Sequence, residues 1–463
     1  MSDARSFPPT DPDSLLSRRE VLRVGGLAGF GLTLENLIQA RGESAEPKSR
    51  SFGKAKQVIV LYLHGGHPQQ ETFDPKPDGP SEVKGEFGAI ATSVPGLRVS
   101  ELLPRCAPIM HKMAVIRSMS HDNANHVQAS LPANTGHRHP ENVARGDFPP
   151  SETDFPPFGA VLDAVARRNE ALPNWVRIGP LMRRSNGTVL HGQLPGFLGN
   201  KHASFNIDQS LLAEEVEIQA IEPAAGLTAA RLKQRKRLRD EFETFRRAID
   251  ATSKTEAFDA SYARAIDLLS SEKTQAAFEL ASEPPPIRDR YGKTEFGQRC
   301  LLARRLAEAG VPMINVSYCH TPAGSWDTHS QNFKKLKNPL APTLDAAVSA
   351  LVEDLDERGR LEDTLVIVTA EFGRTPKINR NAGRDHWPHV YSIALAGAGI
   401  RAGTVYGASD EAAAFPKENP HDPKDFAATL YHLLGVPADT VLYDQSRRPH
   451  HLVIGKPIEG ILA

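Results

Sequence analysis

The chain has 463 residues, a formal net charge of −1, 40% hydrophobic residues and 24% charged residues. This balance excludes a nucleic-acid or acidic-membrane binder that works through overall charge, and the length allows one large α/β domain or two smaller ones without disulfide bracing. The three cysteines, Cys106, Cys300 and Cys319, form no CxxC, so thiolate zinc sites are not expected; buried free thiols are, with one disulfide and a leftover thiol as the alternative.

The amino terminus reads as a targeting segment. Ser17-Arg18-Arg19-Glu20-Val21-Leu22-Arg23 resembles a twin-arginine export signal, and the apolar, Gly-rich run at 24–34 behind it is too short to span a bilayer. Ala40 suits a cleavage position, although Leu37 stands where a small residue is expected. Residues 1–40 are therefore assigned to the signal, with the twin-arginine export machinery as partner and a periplasmic or extracellular destination. That route carries proteins already folded, often with their cofactor loaded. No other stretch approaches membrane length. Residues 41–54 form a polar linker, and 55–463 the functional domain.

The first core strand is QVIVLYL (57–63), broken by His64-Gly65-Gly66-His67-Pro68. A helix is expected over 100–113 and a strand over 114–119. The alternation continues with helix 158–168, strand 174–178, helix 294–309, strand 311–318, helix 343–358, strands 365–370 and 391–396, and helix 424–434. Strands alternating with helices of this length predict βαβ units and a largely parallel sheet. Residues 227–282 interrupt the rhythm as a charged helical insert, whose RLKQRKRLRDEFETFRR run (231–247) mixes acids and bases as a solvated helix face does.

Chemistry-bearing residues gather where these strands end, the edge at which ligands bind in open α/β sheets. Behind the first strand come His64, Glu71 and Asp74. Behind the second come His121 and His126, within a cluster that includes His111, His137 and His139. HVQASLPANT begins like a helix whose amides would welcome an anion, while His111 is read as structural. The segment after 311–318 carries His320, Trp326, Asp327 and His329. LVIVTAEFGRTPKINRNAGRDHWPH (365–389) supplies Glu371, Arg374, Asp385, His386 and His389. Carboxylates and imidazoles together suit zinc or manganese. Arg374 offers a planar fork for an oxyanion or a partner for a nearby acid. No G-x-G-x-x-G follows the first strand, so a nucleotide-dependent oxidoreductase is not expected.

HGG…TFDPKP (64–77), SELLP…IRSM (100–119), TGH (135–137), LLARRLAEAG (301–310), WDTH (326–329) and EFGRTP…GRDHWP (371–388) together resemble an exported bacterial family, domain of unknown function 1501, within the alkaline-phosphatase and sulfatase superfamily. The resemblance covers nearly the whole chain after the signal. It implies a three-layer α/β/α sandwich with metal held at the carboxyl ends of the strands. His64 then stands where the superfamily ends its first strand in aspartate, with Glu71 downstream. Glu371-Phe372-Gly373 matches an acid-histidine-glycine, His386 a late metal histidine, and Asp327 with His329 the other half-site. Sulfatases carry a Cys or Ser nucleophile ten residues before the glycine of their Thr-Gly turn; here that position is His126, with Ser120 and Ser130 nearby.

The expectation is an exported hydrolase of small-molecule or glycan phosphate or sulfate esters. It would depend on a divalent metal, zinc or manganese ahead of calcium or magnesium. Asp327, His329, Glu371 and His386 are the ligands, with His64 and Glu71 completing the other half. His126 is nucleophile, base or extra ligand, and Arg374 neutralises the transferred group. The alternative is a non-catalytic cell-envelope binding or assembly protein that retains the fold and a structural metal.

Overall fold

The computed structural model describes residues 50–139, 147–165, 172–213, 272–319 and 325–463. The residues expected to form an export signal and linker as far as residue 49, His320, and the insert between 214 and 271 lie outside the described residues.

Runs of β-branched and aliphatic residues form the central sheet. Its strands are Gln57–Tyr62 (β1), Met113–Met119 (β2), Trp175–Ile178 (β3), Phe205–Ile207 (β4), Met313–Ser317 (β5), Thr364–Thr369 (β6), Tyr391–Gly397 (β7) and Thr404–Tyr406 (β8). The order is β8-β2-β7-β6-β1-β5-β3-β4. β1 pairs in parallel with β5 and β6, β3 with β4 and β5, and β8 with β2. Only β7 runs against its neighbours β2 and β6, so the carboxyl ends of the other strands share one edge.

Both faces of the sheet are covered. A strand turns successive side chains to opposite faces, and on β1 Ile59 and Leu61 pack on one side with Leu301, Leu306, Leu344 and Leu351. Val58 and Val60 pack on the other with Val161, Phe426 and Leu430. The first set belongs to helices Glu295–Ala309 and Ala341–Glu357, the second to Phe158–Val165 and Pro423–Leu433. The result is the three-layer α/β/α sandwich expected, with a mostly parallel sheet. No helix among the described residues is long and apolar enough to cross a membrane.

Local departures from the expected elements have local causes. The helix expected over 100–113 is instead a series of turns ending in a 3-10 helix, Ala107–Lys112. Pro104 and Pro108 each remove an amide donor and crowd the preceding turn, so an α-helix cannot run through. None of the three cysteines forms a disulfide, and all three are buried. At the carboxyl end of the insert, Glu272–Phe278 is helical, followed by the short helix Pro285–Arg290.

Candidate functional site

Four strand ends deliver the site. β1 runs into His64, β2 into His121 and His126, β5 into Asp327 and β6 into Glu371. A two-stranded ribbon, Gly373–Arg374 against His386–Trp387, then returns His386 to the same edge, with His386 opposite Arg374. His126 opens the helix His126–Thr135, whose N-cap Asn125 accepts a hydrogen bond from Val127 N at 2.8 Å. Gly65 and Gly66 have φ of 111° and 89°; a Cβ on Gly65 would lie 2.3 Å from the Asp327 nitrogen, so glycine is what lets the β1 and β5 tips touch.

Asp327 is the centre of the arrangement. Its Oδ1 lies 3.0 Å from His329 Nε2 and 3.2 Å from His386 Nε2, and accepts from Arg374 Nη2 at 2.7 Å. Its Oδ2 is 3.5 Å from His126 Nε2, an electrostatic contact without hydrogen-bond alignment. His126 Nδ1 meets Glu371 Oε1 at 2.6 Å, and the same oxygen accepts from Gly65 N at 2.9 Å. Outer contacts fix the other rings: His329 Nδ1 to Asp385 Oδ1 at 2.6 Å, and His386 Nδ1 to the Ala124 carbonyl at 2.7 Å. His121 Nε2 lies 2.7 Å from the Glu371 carbonyl, tying the β2 and β6 tips together.

The electrostatics favour positive charge. Burial opposes the charged form of Asp327, but His126, His329, His386 and Arg374 outweigh it and hold the carboxyl far below the ordinary range. Burial likewise opposes Glu371, yet His126 brings its carboxyl down to about 2. Burial pulls the His126 imidazolium down; Asp327 and Glu371 more than reverse this and raise it. Asp327 raises His329 as well. In contrast, burial lowers His386 and His64 to about 4.

A divalent cation fits this donor set. One donor atom from each of His126, Asp327 and His386 lies within 4.8 Å of the other two, a spread that a small inward shift closes around metal bonds of about 2.0–2.2 Å. His126 Nε2 and Glu371 Oε2 are buried without hydrogen-bond partners, as groups awaiting a ligand would be. His329 Nε2 is 2.9 Å from His386 Nε2, so the two rings point at one place. The protons that the carboxylates draw onto His126 and His329 are the charges such a cation would replace.

Not every expected site residue joins this cluster. Glu71 does not: both its oxygens are taken by the Arg384 guanidinium, with Nε–O distances of 3.1 and 3.0 Å, and both side chains are fully buried. Glu71 is thus an ion-pair partner of Arg384, set apart from the Asp327 cluster. Arg374 adjoins the cluster but is fully buried, with all three guanidinium nitrogens already bonded within the protein. Its Nε and Nη1 reach the Gly66 and Arg384 carbonyls at 3.1 and 3.0 Å, and Nη2 reaches Gly65 O, Trp326 O and Asp327. It positions Asp327 and clamps two loops. His64 stands one layer back, its ring 6.1 Å from that of His126. Its Nδ1 faces Cys319 Sγ at 3.3 Å, a neighbour that the sequence reading had placed only among buried thiols. The signal was present, since Cys319 lies two residues past the end of β5.

The remaining histidines disperse. His137 stacks on Phe155 and bonds the Leu452 carbonyl. His389 packs against Trp387 and Phe415. His111 is an exposed partner of Ser93. Ser130 is fully buried, and its hydroxyl donates to Val127 O inside the helix at 2.9 Å.

Residues 55–462 match the family described as "protein of unknown function (DUF1501)". The chain belongs to this family. A search against curated proteins found no match. Among solved structures, a protein in the alkaline phosphatase superfamily from Vibrio parahaemolyticus is 12% identical, with 90% of this chain and 75% of that chain covered, at a TM-score of 0.38. The phosphonate monoester hydrolase of Agrobacterium radiobacter is 13% identical, over 88% of this chain and 77% of that one, at a TM-score of 0.41. The lipoteichoic acid synthase LtaP from Listeria monocytogenes is 9% identical, over 93% and 82%, at a TM-score of 0.37. None of these likenesses transfers a substrate or a reaction to this family member.

Proposed function

We propose that this family member is a metal-dependent hydrolase of phosphate or sulfate esters, exported by the twin-arginine route and acting on a small-molecule or glycan ester. The observation that carries the reading is the convergence of His126, His329 and His386 on one carboxylate, Asp327, with the Glu371 Oε2 and His126 Nε2 atoms buried and unpartnered. The likeness of residues 17–23 to a twin-arginine signal supports the location.

Asp327, His329 and His386 would hold the ion, which leaves His126 Nε2 free; zinc or manganese suits this nitrogen-rich set. A bound divalent cation supplies Lewis acidity to an ester oxygen. The rest of the chemistry belongs to the side chains. Glu371 orients His126 through Nδ1, which leaves Nε2 as the working nitrogen, the logic of an acid–imidazole pair. Positive charge beside Asp327 favours loss of the extra proton from His126. Its Nε2 then takes a proton from water as the new oxygen–phosphorus or oxygen–sulfur bond forms and the ester bond breaks. The same proton passes to the leaving alkoxide. Direct attack by Nε2 is the variant mechanism, and it would leave a phosphorylated or sulfated His126 detectable by mass.

The test is an ester panel of phosphate monoesters, phosphate diesters and sulfate esters, assayed on metal-loaded protein with and without chelator. Chelator-sensitive turnover is expected, reduced at least about 100-fold in His126→Ala, the low end of what positioned acid–base groups contribute. Asp327→Asn should lose the metal. Fully loaded protein that turns over none of the panel would overturn the hydrolase reading. It would favour the second reading, an envelope binding or assembly protein with a structural ion, which draws support from the Arg374 bond that already neutralises Asp327.

A further inference from the structure

A second group of ligating side chains lies apart from this cluster and shares no residue with it: His139, Asp154 and His191, each with one donor atom within 4.8 Å of the other two. They come from three loops. His139 lies just past Gly136, which caps the helix that His126 opens; Asp154 precedes the helix Phe158–Val165; and His191 follows β3.

The loops are held before any ligand arrives. Asp147 accepts from Arg184 Nη1 at 2.6 Å, Asn186 Nδ2 at 2.8 Å and Asn125 Nδ2 at 3.2 Å. The Asp154 carbonyl accepts from Phe197 N at 3.0 Å, and its Oδ1 from Ser151 Oγ at 2.9 Å. That leaves Asp154 Oδ2 to face His191 Nδ1 at 2.5 Å. The Phe148 ring packs edge-on against both imidazoles, centroids 5.2 Å from His139 and 4.9 Å from His191. The two imidazoles are themselves 4.3 Å apart.

Two unmet bonding demands meet at this point. His191 is fully buried, and its Nε2 faces the Phe148 carbonyl at 3.0 Å while Nδ1 faces Asp154. A neutral imidazole carries one proton for these two acceptor oxygens, so both are met only by an imidazolium paired with Asp154 or by a cation taking the place of one proton. His139 Nε2, beside it, is shut off from solvent and has no partner at all. A cation answers both demands, because it takes imidazole lone pairs and a carboxylate oxygen and needs no proton from either ring.

We infer that His139, Asp154 and His191 form a second divalent-metal site, of two imidazoles and one carboxylate, that takes zinc and pins the loops on either side of the helix Phe158–Val165. This ligand set is ordinary for zinc, with room for a fourth ligand. The inference stands whether or not the Asp327 cluster is catalytic.

The experiment counts zinc per chain on full-length protein, stripped with chelator, reloaded with zinc and freed of excess, for wild type, His139→Gln, His386→Ala and the double variant. His139→Gln is expected to bind one ion fewer than wild type, and the double variant one fewer than His386→Ala. Equal zinc in wild type and His139→Gln overturns the second site. An absence of zinc in the Asp327 cluster alone appears instead as no difference between wild type and His386→Ala, so the two failures are separable. A measurement without substitution at the site covers misfolding. Zinc should slow diethylpyrocarbonate modification of His139 several-fold, read by peptide mass, in both wild type and His386→Ala. Modification of His139 at the same rate with and without zinc overturns the inference.

Discussion

Single buried charges show how geometry assigns a role that residue type leaves open. Glu71 and Arg384 are a fully enclosed pair, and Arg384 also donates to the Thr375, Pro376 and Val83 carbonyls. Removing one member of such a pair leaves the other charge stranded in a low-dielectric interior, at a cost of about 3–5 kcal/mol. Glu71→Gln should therefore lower the unfolding free energy by about that amount while zinc per folded chain stays at the wild-type level. Denaturant titration and metal analysis read the two halves separately. A stable variant that has lost metal would return Glu71 to the ligand set. Arg374 makes the same point from the other side, because the planar fork that suits an anionic substrate is spent on four loop carbonyls and Asp327.

Between elements, the site depends on how closely the β1 and β5 tips approach. The Gly65 carbonyl and the Trp326 carbonyl share the Arg374 Nη2 donor, and Trp326 N donates to the His64 carbonyl at 3.0 Å. Gly65→Ala inserts a methyl where the Asp327 backbone already sits, at a φ that L side chains rarely adopt. The backbone strain alone costs about 1–3 kcal/mol. The larger expected effect is displacement of Asp327, with zinc at the first cluster lost and the His139 site still filled. Retention of both ions by a folded Gly65→Ala protein would show that the tips tolerate separation.

At the scale of the whole molecule, the helical layer is held by a buried charge network with its own acid sensitivity. Arg304 lies 2.7 Å from Glu283 and 2.9 Å from Asp354, which also accepts from Tyr291 Oη at 2.9 Å. Burial raises both carboxyls, but Arg304 with Arg305 outweighs it at Glu283, and Arg358 with Arg304 at Asp354, so both lie below their ordinary values. A group whose folded pKa is depressed stabilises the fold above its unfolded value, about 4.3 for Glu and 3.9 for Asp, and that stability drains as pH falls further. Denaturant midpoints should drop below pH about 4.5, beyond the loss that buried His64 and His386 already cause by taking up protons as pH falls from about 6.5. The drop should shrink in a variant carrying both Glu283→Gln and Asp354→Asn. An identical acid profile in that variant would remove the network as the cause.

The strands, the helices that cover them and the edge where the chemistry gathers were legible in the chain, because apolar periodicity and strand-end acids are local properties. So was the grouping of Asp327, His329, Glu371 and His386 at that edge, since Glu371 directly follows a buried strand and the others lie in the segments that leave the same strand ends. The sequence could not separate Glu71 from the ligands, release Cys319 from the plain core thiols, or divide the histidines of 111–139 between a first cluster, a second one and mere packing. Those outcomes turn on which charge lies within a few ångströms of which, and only the folded chain sets distances such as that from Glu71 to Arg384, 313 residues further along. Local pattern therefore determined the scaffold and the edge, while tertiary contact decided which buried charges gather around Asp327 and which pair elsewhere as struts.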